Sequence, residues 1–273
     1  MELASGTTTP STDTKPVIAR WKVYWLYENT WDDEWIARYH KEAPSIARQI
    51  QSEKTTTDVV IPESFGMTYK DVKSEPYTCE DFALEVLVRF ASENLLPVKL
   101  KTDAAVFANI DRNYKSEYKP SPPTIRGFLN DVKTAYAAYD MPKNCITLSD
   151  KLAVLPGDIF LKHTHSHVQV VVSKSSNEID ILQGNFPSSG ADTGLRYVGG
   201  HLAKIFLGRP ASADSPTSPD YYGVPVQNGS YILNYGKWRY QNLTLNGKLD
   251  SGQTWIDMSI PLQWNFMEFN NLP

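Results

Sequence analysis

The chain has 273 residues, and its content of 41% hydrophobic and 12% aromatic residues is typical of a globular protein with a sizeable core. A formal net charge of −4 argues against general nucleic-acid binding, which needs a clustered basic face. The two cysteines lie far apart in different contexts, so they indicate a reducing compartment rather than a disulfide framework.

Neither a membrane span nor a signal peptide is evident in the pattern. No run approaches the ~18 apolar residues of a membrane span. The first ten residues lack the basic start and the apolar stretch of a signal peptide. We therefore expect a protein that stays in the cytoplasm of the producing cell, or that leaves it by a route independent of signal peptides.

Composition divides the chain into three regions. Residues 1–16 are rich in Thr, Ser and Pro, which predicts a flexible tail. Residues 17–208 are expected to form the main domain, beginning with a helical pattern over 20–52. Residues 209–273 are expected to form a linker and a strand-rich extension of the same domain. Two pairs of tryptophans at four-residue spacing predict core packing more than a sugar platform: Trp21, Trp25, Trp31 and Trp35.

A helix is predicted to begin at Cys79. Thr78 followed three residues later by Asp81 is a capping-box pattern. An apolar stripe at helical spacing then follows, made of Phe82, Ala83, Val86, Leu87 and Phe90. Free backbone N–H groups and the positive dipole end at a first helical position favour an anion. Such a site can lower a thiol pKa from about 8.5 towards neutrality, which makes Cys79 a candidate nucleophile.

A second helix is predicted after Thr124, which has the position of an N-cap. Its expected buried face consists of Ile125, Phe128, Leu129, Val132 and Tyr136. Cys145 has neither a capping signal nor a helix behind it, so a structural role is expected.

The segment from Leu155 to Ser173 predicts an antiparallel hairpin. Turn residues at 156–158 precede an apolar run at 159–161, and His167 begins a second apolar run. A third run over 179–185 follows a polar turn. If these strands are neighbours, three polar residues are candidates to orient the imidazole: Asp180, Gln183 and Asn185. Nucleophile, base and orienting residue form the usual arrangement for covalent acyl transfer.

The last quarter of the chain predicts short strands at 230–235, 237–243 and 253–260, separated by Asn-Gly and Ser-Gly turns. The alternation at 263–269 predicts one more strand. These strands are expected either to extend the sheet of the main domain or to cover one side of it.

Three motifs in order resemble the NlpC/P60 and CHAP groups of papain-like amidases and peptidases. They are Thr-Cys-Glu-Asp-Phe opening a helix, Pro-Gly-Asp-Ile-Phe, and His-Val-Gln-Val-Val-Val. The resemblance covers roughly residues 65–187. It implies an α+β fold of papain-like type, with helices packed on an antiparallel sheet, and it implies Cys79 as nucleophile and His167 as base.

The same resemblance implies supporting residues. Gln-Gly-Asn at 183–185 is similar to the CHAP pattern and makes Asn185 or Gln183 the third catalytic residue. Tyr69 or Tyr77 matches the tyrosine near the nucleophile, and Asp81 is expected to support the substrate or the oxyanion. The implied activity is hydrolysis of an amide bond, with peptidoglycan peptides as substrates and no cofactor.

The stretch from Cys79 to Pro97 and the ending Trp264 to Asn270 are also similar to less characterised bacterial proteins with this amidase-like core. That likeness implies a bacterial protein, with an immunity protein or a secretion apparatus as candidate partners. Two features depart from the NlpC/P60 pattern. Glu80 and Asp81 replace the usual small residues, and their charges oppose ionisation of the thiol. The interval between Cys79 and His167 also holds an extra helical segment.

Three alternatives stay open. His163, His165 and His167 would share one face of an extended strand, and Asp158 or Asp180 could complete a zinc site. A turn just before His167 would break that convergence. A non-catalytic binding or structural module with a degenerate amidase fold is the second alternative. Thiol chemistry on another acyl substrate, such as a protein glutamine or an isopeptide, is the third.

Overall fold

The computed structural model describes residues 21–54, 78–112, 114, 117–184, 226–243 and 255–272. In these residues the chain forms an α+β fold, which confirms the predicted class. The helices are α1 (Asp33–Glu53), α2 (Cys79–Glu93), α3 (Ile125–Lys133), α4 (Met141–Asn144) and α5 (Phe266–Phe269). None of the helices described is long and apolar enough to cross a bilayer.

Within the described residues, the largest sheet has seven strands, and each of its pairings is antiparallel. The strands are β5 (Cys145–Thr147), β6 (Ile159–Lys162), β7 (Val168–Lys174), β8 (Glu178–Gly184), β9 (Val226–Asn234), β10 (Lys237–Asn242) and β11 (Ser259–Trp264). Their spatial order is β10-β9-β8-β7-β6-β11-β5. The C-terminal strands therefore extend the sheet that carries the predicted hairpin. Two strand pairs lie outside it: β1 (Lys22–Val23) with β4 (Ile110–Asp111), and β2 (Lys99–Lys101) with β3 (Val106–Ala108).

Both faces of the large sheet are buried because its strands alternate apolar residues on either side. Ile159 and Leu161 join the core formed with α1 and α2, while Phe160 between them joins a second apolar cluster on the opposite face. Val170 and Val171 divide in the same way. Helix α2 packs across β7 and β8 on the first face, and this packing positions the start of the helix over the sheet.

The helix capped by Thr124 is confirmed as α3. The Thr124 side chain accepts a hydrogen bond from the Gly127 N–H at 3.0 Å. Four of the five residues expected on its buried face are buried: Phe128, Leu129, Val132 and Tyr136. Ile125, in the first turn, is 40% exposed, so the apolar face of this short helix begins one turn later than expected.

The prediction of a helical region over 20–52 is wrong for residues 21–32. Helix α1 begins at Asp33, because the Asp32 side chain caps it by accepting from the Trp35 N–H at 2.9 Å. The preceding segment contains strand β1, which pairs with β4. Trp25 and Trp31 are buried and donate to the carbonyls of Leu96 and Pro97, whereas Trp21 is exposed and Trp35 half-buried. Core packing is thus confirmed for one tryptophan of each pair.

The strands predicted at 230–235 and 237–243 are confirmed as β9 and β10. The strands predicted at 253–260 and 263–269 do not match the elements in those regions. The turn between β9 and β10 is Tyr235-Gly236, both with positive φ. The Asn-Gly and Ser-Gly pairs at 246–247 and 251–252 lie outside the described residues. Residues 255–258 form a 3-10 turn before β11 begins. The final run leaves the sheet after Trp264 and turns into α5, because Phe266 and Phe269 pack around Trp31 at ring distances of 4.5 and 6.5 Å.

Candidate active site

The first turn of α2 carries the candidate nucleophile, as the capping pattern predicts. Helix α2 begins at Cys79, and the Thr78 N–H donates to the Asp81 carboxylate at 3.0 Å. The Asp81 side chain is buried and is committed to this cap. Asp81 thus has a structural role in the cap, and its expected role in substrate or oxyanion support stays a prediction.

Strand β8 ends directly against this helix start. A Cβ built on Gly184 would lie 2.2 Å from the Thr78 carbonyl oxygen and 3.2 Å from the Cys79 Cα. Only glycine lets the two backbones approach this closely. The end of β8 therefore lies against the backbone that holds the candidate nucleophile.

Replacing Gly184 with alanine is expected to lower the free energy of unfolding by about 3 kcal/mol, at the upper end of overpacking costs, because the added methyl group meets backbone atoms that cannot rotate away. Urea denaturation measures this loss. Gly236→Ala is the control, because its added Cβ meets open space, and we expect only about 1 kcal/mol from its left-handed backbone. Unchanged stability of Gly184→Ala would contradict the close approach.

The Cys79 sulfur lies against the start of β7, beside His167. It accepts hydrogen bonds from the backbone N–H groups of Val168 and Glu80. Its own thiol hydrogen is donated to the Glu80 carboxylate at 3.0 Å. His167 immediately precedes Val168, so the fold brings the two residues of the predicted pair into one corner between α2 and the sheet. The Cys79 residue is 6% exposed and the His167 residue 7%.

Gln183 is the residue that orients the His167 ring. Its Oε1 lies 2.9 Å from His167 Nε2 and also accepts from the Gln169 Nε2 at 2.8 Å. Gln169 in turn accepts from the Tyr231 hydroxyl at 2.5 Å, and the Gln183 amide donates to the Tyr240 hydroxyl at 3.2 Å. With Oε1 facing the ring, His167 Nε2 carries the proton, and Nδ1 is left with the lone pair that a base needs.

The other two candidates for the orienting role, Asp180 and Asn185, have different outcomes. Asp180 accepts from the Ser173 hydroxyl at 2.6 Å and so serves the β7–β8 pair. Asn185, and the predicted Tyr69 and Tyr77, lie outside the described residues. Cys145 begins β5, is half-buried and has its thiol pKa raised by burial and then by Asp158, which agrees with a structural role.

The electrostatics of the corner favour neutral groups. Burial, followed by the neighbouring Glu80 carboxylate, raises the pKa of the Cys79 thiol well above its usual range. Burial lowers the pKa of His167 to about 4, against the opposing effect of its Gln183 hydrogen bond. The helix start was expected to lower the thiol pKa. Here desolvation and Glu80 outweigh the dipole and the two N–H donors, so the resting pair is a thiol and a neutral imidazole.

The three-histidine arrangement of the zinc alternative does not form. Strand β6 ends at Lys162, and the chain turns through His165, which has a φ of +53°. His163 is exposed and His167 buried, so the side chains do not share a face. Among the described residues, which include all three histidines, no group of three or more His, Cys, Asp or Glu side chains is placed to hold a metal ion.

Two features of this corner were not evident in the sequence. The Glu80 carboxylate was expected only as a neighbouring charge, whereas it accepts the thiol hydrogen directly. The hydrogen-bonded glutamine and tyrosine network behind His167 was also missed. Gln169 offered one signal, as a lone amide in an apolar strand two residues after His167. The two tyrosines offered none, because they come from β9 and β10, far along the chain.

The fold and this geometry define an α+β protein with a buried Cys–His–Gln cluster where a helix start meets an antiparallel sheet. No family model, curated protein or solved structure matches the chain. Its likeness to the NlpC/P60 and CHAP proteins therefore rests on its own three sequence motifs.

Proposed function

We propose that the chain is a cysteine-dependent hydrolase of amide bonds, with Cys79 as nucleophile and His167 as base. The observation that carries the proposal is the cluster itself: the sulfur accepts from the backbone N–H beside His167, and Gln183 orients the imidazole. A papain-like arrangement, with a helix start over an antiparallel sheet, belongs to the same proposal.

The reaction begins from the neutral pair. As the Cys79 sulfur attacks the carbonyl carbon, the thiol proton passes to His167 Nδ1, and Gln183 holds the resulting imidazolium through its Oε1. The backbone N–H of Cys79, at the start of α2, stabilises the oxyanion. His167 then protonates the leaving amine, and water attacks the thioester to release the acid and restore the thiol.

A His167 pKa of about 4 suits this role in one respect and limits it in another. The imidazole stays neutral and able to accept a proton through the physiological range. Its weak basicity means that the proton moves during attack and not before it. The substrate class follows from the resemblance: peptide or amide bonds of peptidoglycan, with protein glutamines or isopeptides as the other thiol substrates.

The test uses the full chain carrying Cys145→Ala, in which Cys79 is the remaining cysteine. The protein is incubated with peptidoglycan fragments, and the products are read by mass. Blocking Cys79 as a methyl disulfide, checked by the mass of the protein, should stop product formation, and a reductant should restore it. Products unaffected by the block, or no products at all from peptidoglycan, glutamine or isopeptide substrates, would overturn the proposal.

A second candidate is a non-catalytic module that keeps this fold. The observation that favours it is the state of Cys79: its residue is buried, its thiol pKa is raised, and its hydrogen is held by a carboxylate. On this alternative the wild-type chain yields no product, and Cys79→Ala leaves the cellular phenotype intact. The hydrolase proposal requires the opposite result in both measurements.

A further inference from the structure

Glu80 directly follows the candidate nucleophile and takes its only hydrogen. The Cys79 thiol donates to Glu80 Oε2 at 3.0 Å, within the first turn of α2. A thiol has a single hydrogen, so donating it to this carboxylate competes with donating it to His167. The contact couples the state of the thiol to the charge on Glu80.

The titratable groups that face Cys79 and Glu80 add little that favours a thiolate. Asp81 stands on the same helical turn, and the charge of Lys133 acts mainly on that carboxyl. Tyr136 faces Glu80 from the segment after α3, and burial raises the pKa of its hydroxyl well above the usual range, so it remains neutral. From the start of β7 comes the neutral His167, whose pKa is lowered slightly further by the charge of Lys162.

We propose that Glu80 is a positioning residue that keeps the Cys79 thiol protonated and hydrogen-bonded in the resting site. This inference deepens the hydrolase function proposed above and rests on it. For reaction, the hydrogen bond from the thiol to Glu80 breaks, the proton passes to His167 Nδ1, and the sulfur electron pair forms the bond to the carbonyl carbon. Glu80 thus sets the pH at which the sulfur becomes reactive.

The substitution Glu80→Gln separates charge from hydrogen bonding. Glutamine keeps an oxygen that accepts from the thiol. It also removes the negative charge that Glu80 carries once it ionises, although burial raises the pKa of this carboxyl against the opposing hydrogen bond from Cys79. A nearby like charge raises an acidic pKa by roughly one unit or more, so the apparent pKa of the thiol should fall by about that amount. Because alkylation follows the thiolate, its rate constant for Cys79 at neutral pH should rise about tenfold.

The rate is measured with iodoacetamide on the full chain across a range of pH, and peptide mapping by mass follows Cys79 and Cys145 separately. Glu93→Gln is the matched control, because it removes the same charge from an exposed position at the other end of α2, about 20 Å away. That control should change the rate for Cys79 by less than about twofold. An unchanged pH profile in Glu80→Gln overturns the inference.

A second measurement can overturn the inference in the wild-type chain, without the Glu80 variant. The ultraviolet absorbance of the thiolate, taken as the difference between the wild-type chain and Cys79→Ala, reports the titration of this sulfur directly. A midpoint within or below the ordinary range of cysteine overturns the inference. A raised midpoint that falls in Glu80→Gln supports it, because the part of the shift that burial causes does not depend on the Glu80 charge. Neither measurement uses a substrate, so a chain that fails to hydrolyse amides can still show the effect of Glu80, and the two failures remain distinguishable.

Discussion

Replacing Cys79 with alanine is expected to lower kcat/KM for the cleaved amide by at least about a thousandfold, because the mechanism has no other nucleophile. His167→Ala should cause a loss of similar size, since an unassisted thiol of raised pKa is a poor nucleophile. The double variant should be no slower than either single variant, because residues that act as a unit are not additive. Steady-state kinetics on the substrate identified by mass measures all three.

One hydrogen bond of the site and one control variant make this comparison interpretable. In His167→Ala, Gln183 Oε1 still accepts from Gln169, so the buried amide network keeps a partner. Cys145→Ala is the matched control for a cysteine remote from His167, and its rate should stay within about twofold of the wild type. Equal rates for the wild type and Cys79→Ala would exclude the thiol mechanism.

The pH dependence gives a further readout of the same reaction. Burial lowers the pKa of His167 to about 4, so the imidazole remains an available base down to that pH. We therefore expect no loss of kcat/KM near the ordinary histidine pKa of about 6.5. An acidic limb centred near 6.5 that is absent from His167→Ala would contradict the environment described for His167.

Replacing Asp158 with asparagine is expected to stabilise the protein above about pH 8 by as much as roughly 4 kcal/mol, and to change it little near pH 4. Asp158 is buried at the start of β6, and its Oδ1 has no hydrogen-bond partner within the described part of the chain. Burial raises its pKa from 3.8 to about 7, against the opposing effects of the Leu155 N–H and the Gln263 side chain. Asparagine keeps an acceptor for that N–H without the charge.

The sign of the effect follows from the raised pKa. Between about pH 4 and pH 7 the folded chain keeps the Asp158 proton while the unfolded chain loses it, so the contribution of Asp158 to stability falls as the pH rises. His40, with its Nδ1 4.0 Å from Asp158, does not supply a compensating charge, because burial lowers its pKa and it hydrogen-bonds Pro156. Above pH 7 the full penalty of a buried carboxylate remains.

Urea denaturation at a series of pH values measures this effect on wild type and Asp158→Asn. The exposed Asp257 provides the matched control, since Asp257→Asn removes the same charge from the surface. The stability of Asp158→Asn relative to the wild type should rise between about pH 4 and pH 7, and that of Asp257→Asn should not. The comparison is made between chains because His167, whose lowered pKa gives the opposite pH trend, contributes equally to all three. Parallel curves for wild type and Asp158→Asn would contradict a buried, weakly partnered carboxyl.

Local signals predicted the elements that carry the site. The capping pattern at Thr78 and Asp81 located the start of α2 at Cys79, because the first turn of a helix is stabilised by its own side chains. Alternation and turn residues likewise predicted β6, β7 and β8. The same reasoning failed around Trp25 and Trp31, whose indole groups donate to the distant carbonyls of Leu96 and Pro97 in a segment that is not helical.

The sequence by itself determined the class of fold, the position of Cys79 at a helix start and the strand that follows His167, because capping and periodicity act over a few residues. Only the tertiary structure decided which side chain orients the imidazole and whether the thiol is ionised. Gln183 reaches His167 through the pairing of neighbouring strands, and Cys79 loses its solvent through packing across the whole core. Desolvation and long-range contacts depend on every element at once, so no local pattern encodes them.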